Sequence, residues 1–210
     1  MTKAASPNYE DISPYAFVKN LPTCAQNKIP SDLEQYCSIA KYKAWNVLEE
    51  GVFSLFRHVF LLETIKLGGK MLFKHEPEGI VLWDRCGTKN AFLYECKAYK
   101  GGYSMSSDDV LRYKDYIGSK KHFISVKYHL PLSHFIIVSS AFHGDIEARL
   151  KEFDTVGITL SLVEADRLAY LYETTKGFDY EDLHLLNLPK IFCRGKVSTE
   201  AIEDGVKSLP

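Results

Sequence analysis

An α/β sandwich, with a central mixed β-sheet flanked by α-helices, is the architecture that this 210-residue chain calls for. The stretch HFIIVSSAF, residues 134–142, is almost continuously apolar, as befits a central strand buried on both faces. Shorter strand-like runs precede it, separated by turn residues, and helical periodicity flanks them all. A composition of 46% hydrophobic and 13% aromatic residues supports a sizeable core and argues against disorder. The length suits one domain with at most a small appendage.

The elements follow in order. Residues 1–30 hold Pro7, Pro14, Pro22 and Pro30 and read as an extended or loosely helical arm. Ser31, Asp32 and Glu34 signal a helix start, and the helical pattern runs to about Leu67, with Gly51 as a candidate break and Gly68-Gly69 as its end. Three short strands are expected at 70–75, 79–84 and 91–97, the last two joined by a hairpin turn at Cys86–Asn90. Ser106 and Ser107 cap a helix from Asp108 to about Ile117, whose early aspartates suit the helix dipole. Residues 144–153 read as a helix and 157–163 as a strand, with helices after it.

A net charge of −1 advertises no global basic field for nucleic acid. Five cysteines without a CxxC pair fit a reducing cytoplasm better than a disulfide framework or zinc knuckle. No signal peptide and no long apolar run is visible, so no membrane is expected. The seven histidines show no ligand spacing.

One segment is unlike its surroundings. In FLYECKAYKGGYSM, residues 92–105, Glu95 and Lys97 interrupt a strand that otherwise reads as buried, and side chains two apart share a face. Charges there are costly unless paired or used. Glu78 lies in HEPEGIVLW, ahead of the partner strand, and the hairpin can bring it beside Glu95. Two carboxylates about 4 Å apart repel by roughly 4 kcal/mol at an effective dielectric of 20. A divalent cation or a proton relieves this, and Mg²⁺ suits carboxylates beside phosphate groups. Lysine then orients water or offsets charge on phosphorus. The bland alternative is a same-face ion pair at a sheet end. Asp84, beside the turn, is a second candidate acid, and SKKH (119–122) reads as a solvated loop.

Glu78-x16-Glu95-x-Lys97 resembles the PD-(D/E)xK signature. ECKAYKGGY, the Arg112-Tyr113 pair, FIIVSSAFHG (135–144) and GITLSLVEADRL (157–168) together resemble the cleavage domains of FokI-like type IIS restriction endonucleases, over roughly residues 50 to 205. The resemblance implies a PD-(D/E)xK restriction-endonuclease-like core in residues 46–210, with 1–45 as N-terminal arm and helix start. It implies Glu78 and Glu95 as metal ligands and Lys97 as the catalytic lysine, with Glu78 replacing the usual aspartate. Glu50 or Glu49 is the supporting helix acid. Asp108 and Arg112 fall where the family dimerises.

The implied activity is a Mg²⁺-dependent DNA endonuclease, Mn²⁺ substituting, that cuts one strand per site to a 5′-phosphate and a 3′-hydroxyl. Nothing in residues 1–50 looks like a specificity domain, so double-stranded DNA and a separate recognition subunit are the expected partners, in a bacterial cytoplasm. An endonuclease subunit of a transposition system, or a degenerate nuclease fold kept for dimerisation or DNA binding, are the alternatives.

Overall fold

The computed structural model describes residues 12–67, 76–85, 87–207 and 209. Helices α1 (Pro14–Lys19) and α2 (Leu21–Ala25) open it, each with proline in its first turn, where a missing N–H costs nothing. A 3₁₀ turn at Ser31–Leu33 leads into α3 (Glu34–Ala40), which stops at Lys41 with φ 56°. Within the stretch expected as an arm and helix start, the described residues from 12 onward form helices whose Val18, Leu21, Cys24 and Cys37 share a core with the next helix.

That helix, α4 (Ala44–Ser54), continues as a π turn over Leu55–Val59. Gly51 does not break it. A Cβ there would stand 2.6 Å from Leu21 Cδ2 and 3.0 Å from the Phe17 carbonyl, so glycine allows α1 and α2 to pack on α4. The helical pattern expected to reach Leu67 ends early, because Glu63–Lys66 form β1. The β-branched Thr64 and Ile65 pair there with Val81 and Ile80. The guanidinium of Arg85 donates to the carbonyls of Phe60 (2.7 Å), Leu61 (3.1 Å) and Leu183 (3.0 Å), pinning the chain as it leaves α4.

Strands β2 (Gly79–Arg85) and β3 (Thr88–Lys97) form an antiparallel hairpin, tighter than expected, that turns through Gly87 at φ 70°. The strand expected at 70–75 lies outside the described residues. After β4 (Tyr103–Ser104), α5 runs from Ser107 to Tyr128, much longer than expected, so SKKH is helical and not a loop. Then come β5 (Leu132–Ser139), β6 (Phe142–His143), α6 (Ile146–Asp154), β7 (Thr159–Glu164) and α7 (Ala165–Thr175). Short helices α8 (Tyr180–Leu183) and α9 (Leu188–Ile191), strand β8 (Gly195–Lys196) and α10 (Thr199–Val206) complete the chain.

The main sheet has the order β1-β2-β3-β5-β7-β8, antiparallel from β1 to β3 and parallel from β3 onward. The mixed sheet flanked by helices is thus the one the sequence pattern calls for. Side chains alternate between two cores. Phe92, Tyr94 and Cys96 join the layer of α4, α7 and α9, while Ala91, Leu93 and Ile137 join the layer of α5 and α6. β3 is the strand at which the sheet changes sense.

Candidate active site

The hairpin register pairs Gly79 with Tyr94, and the Glu78 amide donates to the Tyr94 carbonyl at 3.0 Å. The next residues of each strand, Glu78 and Glu95, therefore meet at the open end of the hairpin. Glu95 and Lys97 continue the side of β3 that carries Ala91 and Leu93, facing α5. Lys97 Nζ donates to Glu95 Oε1 at 2.5 Å and lies 5.9 Å from the Tyr113 ring centre on α5. Glu95 is only 4% exposed, and its Oε2 is buried with no hydrogen-bond partner among the described residues.

The acid that joins this pair from the other layer is Glu49. It shares a hydrogen bond with Glu78, and both are pushed well above the usual carboxylate range. Burial is the main cause for each. The charge of Glu78 adds to it at Glu49, and the charge of Glu95 adds to it at Glu78, where Lys97 works the other way. Burial also raises Glu95, against the opposing pull of Lys97 and Arg112. Three carboxyl groups crowd one sheet end, and the nearby cations Lys97, Lys66 and Arg112 offset the cost of burying them only in part.

The other candidates are dispersed. Glu50 is held by Lys66 of β1 and takes a 3.5 Å bond from the Tyr42 hydroxyl, so it does not join Glu78. Asp84 pairs with Lys89 at 2.7 Å near the turn, the far end of the hairpin from Glu95. Asp108 is exposed at the start of α5, and Arg112 pairs with Asp109 instead of Asp108. Asp109 also accepts from the Ser106 amide (3.0 Å) and hydroxyl (2.8 Å), which locks it into the helix cap. Lys120 bonds Glu76 at 3.0 Å, tying the middle of α5 to the segment that carries Glu78.

Sequence reasoning named Glu49 only beside Glu50, and it did not see Tyr113 under Lys97. Adjacent acids on a helix buried nearly all round are not separated by periodicity; only the placement of α4 against β3 separates them. Tyr113 stands next to Arg112, which the motif did flag, but its place under Lys97 follows from α5 packing on β5, where its ring lies 5.0 Å from that of Phe135.

Among the described residues no group of three or more His, Cys, Asp or Glu side chains is by itself arranged to hold a metal ion. The donor chemistry nonetheless fits Mg²⁺, which keeps several waters and needs only one or two protein carboxylates beside phosphate oxygens. The buried, unpartnered Glu95 Oε2 beside Glu78 is such a donor.

The family profile described as the FokI cleavage domain matches residues 15–196. Among solved structures, the restriction endonuclease FokI aligns with a TM-score of 0.64 and 17% identity, covering 91% of this chain and 32% of that one. FokI bound to DNA aligns with a TM-score of 0.58 and 17% identity, covering 93% and 34%. This chain thus spans about a third of the length of those structures. A search of curated proteins finds no match.

Proposed function

This chain belongs to the FokI cleavage-domain family, a nuclease family, and on that premise we propose that it is a Mg²⁺-dependent DNA endonuclease acting as the cleavage subunit of a type IIS restriction enzyme. The observation that carries the reading is the meeting of Glu78, Glu95 and Lys97 at one end of the β2–β3 hairpin, with Glu95 Oε2 left without a partner. Glu78 and Glu95 would hold the cation, with Mn²⁺ able to replace Mg²⁺, and Glu49 would support Glu78 from α4. When bound, the cation lowers the pKa of water and offsets charge on the phosphate.

The remaining work falls to the chain's own side chains. Lys97, fixed between Glu95 and the Tyr113 ring, presents an ammonium to the charge that builds on the phosphate during attack. Burial of Glu95 and Tyr113 keeps water from screening that charge. Hydrolysis leaves a 5′-phosphate and a 3′-hydroxyl.

One such centre cuts one strand, so a double-strand break requires a second centre, and the α5 surface with Asp108 and Arg112 is the proposed contact. Net charge is −1, which favours little residence on DNA at physiological salt without a partner that reads sequence. Such a partner raises the local concentration of this domain at its target to about the millimolar range when the tether is short. The proposed setting is a bacterial cytoplasm. Cys24, Cys37, Cys96 and Cys193 are free, and no helix among the described residues is long and apolar enough to cross a membrane.

The test is cleavage of supercoiled plasmid with Mg²⁺, with and without a recognition subunit encoded beside this chain. Cleavage that appears with the partner and vanishes with EDTA supports the reading. Efficient sequence-specific double-strand cutting by the isolated chain overturns the subunit part. No cutting under any of these conditions overturns the nuclease reading.

A further inference from the structure

Tyr94 is fully buried on β3, its ring lies 5.9 Å from that of Phe56 in the π turn that continues α4, and its hydroxyl has no hydrogen-bond partner among the described residues. Leaving a buried hydroxyl unpaired is destabilising, and phenylalanine would fill the same space without that cost. The ring passes directly over Gly79: a Cβ at that position would stand 2.5 Å from the tyrosine oxygen. The absent side chain therefore gives the hydroxyl access to the segment that carries Glu78. The groups whose charges act on the phenol are Cys96, Glu78, Glu49 and Glu50. Of these carboxylates, Glu50 is already held by Lys66 and Tyr42, which leaves the Glu49–Glu78 pair.

We infer that Tyr94 is a positioning residue, whose hydroxyl donates to the Glu49–Glu78 carboxylate pair when a divalent cation binds. The inference rests on the cation site proposed above. A cation at Glu78 and Glu95 draws carboxylate oxygens toward itself, and the pair then needs a donor behind it to fix its orientation. Lys97 serves Glu95 in that way, on the other side of the sheet. Tyr94 is the buried donor on the α4 side, and Gly79 is what lets it reach.

The experiment is thermal unfolding of the full chain during titration with Mg²⁺ and, separately, Mn²⁺, for wild type, Tyr94→Phe, Glu49→Gln, the double variant and Glu95→Gln. Tyr94→Phe is expected to melt at or above wild type without cation, since it removes an unpaired hydroxyl. Its cation midpoint is expected to rise about tenfold, the worth of a hydrogen bond to a charged group. The double variant is expected to have the midpoint of Glu49→Gln alone, because the hydroxyl acts through that pair. A Tyr94→Phe midpoint equal to wild type overturns the inference while the site reading stands, provided Glu95→Gln loses the cation shift. A wild type without any cation shift, or a Glu95→Gln that keeps it, overturns the site reading and the inference together.

Discussion

Replacing Glu95 by glutamine removes a charge at nearly constant shape, so its effects measure what the carboxylate does. The residue is 4% exposed, with one side-chain oxygen bonded to Lys97 and the other bonded to nothing described. Without a cation, the change exchanges a charge-assisted hydrogen bond of about 1.5–3 kcal/mol for a neutral-acceptor one of about 0.5–1.5. Against that loss, it relieves the burial of an ion and the repulsion that Glu95 exerts on Glu78. The opposing effects leave a net change near ~1 kcal/mol, which moves Tm by about 2–4 °C in either direction for a chain of this size. With a cation the balance is different. Outer-shell partners of a metal are typically worth 10–100-fold in affinity or activity, so loss of a direct ligand costs at least about 100-fold. That corresponds to about 2.7 kcal/mol on the barrier. The assay pairs melting curves with nicking of supercoiled plasmid in the presence of the proposed recognition subunit. Wild-type cutting by Glu95→Gln refutes the assignment of the site. A Tm more than about 10 °C lower refutes the claim that the carboxylate is retained for function and not for folding.

The other outcomes use the same preparations. Lys97→Ala is expected to abolish cleavage while the stabilisation by Mg²⁺ persists, read by plasmid nicking and melting together. Glu49→Gln is expected to raise the Mg²⁺ requirement by about 10-fold, and Glu50→Gln to leave it within about twofold, because Glu50 is engaged with Lys66. The cation-free protein should lose stability as pH rises: Glu49 and Glu78 are pushed up to about 9 and about 7, so the folded chain holds protons the unfolded chain has released. That contribution is whole below about pH 4.5, falls by a few kcal/mol through about pH 9, and flattens when Mg²⁺ is present; urea unfolding across pH checks it. Asp108→Arg with Arg112→Asp is expected to weaken association and double-strand cutting while single-strand nicking continues, measured by sedimentation and by the ratio of linear to nicked plasmid.

Much of this arrangement is written in local sequence. The apolar run at 134–142 names a central strand because only a strand covered on both faces tolerates so few polar residues. Glu95 and Lys97 declare themselves because charges on such a strand need a reason. Glu78 is a candidate because a hairpin can bring it beside Glu95, but the register that does so belongs to a turn tighter than the Cys86–Asn90 one expected. What stayed hidden depends on contacts distant in sequence. Glu63–Lys66 is four residues at the tail of an amphipathic pattern, and only pairing with β2 makes it a strand. The helix expected to end at about Ile117 instead passes through Gly118, which lies on the exposed side with open space around it, at the modest cost of one glycine. Glu49 and Glu50 are indistinguishable until α4 is laid against the sheet.

The Gly87 turn lies at the opposite end of the β2–β3 hairpin from the carboxylates. Thr88 to Lys97 is a ten-residue strand, about 30 Å at roughly 3.3 Å per residue. This makes the hairpin a ruler. A fluorophore or a fused DNA-reading module mounted on the turn would stand about 30 Å from the reacting end, roughly nine base-pair steps of B-DNA at about 3.4 Å each. Cargo attached there stands clear of the carboxylate end of the strand pair.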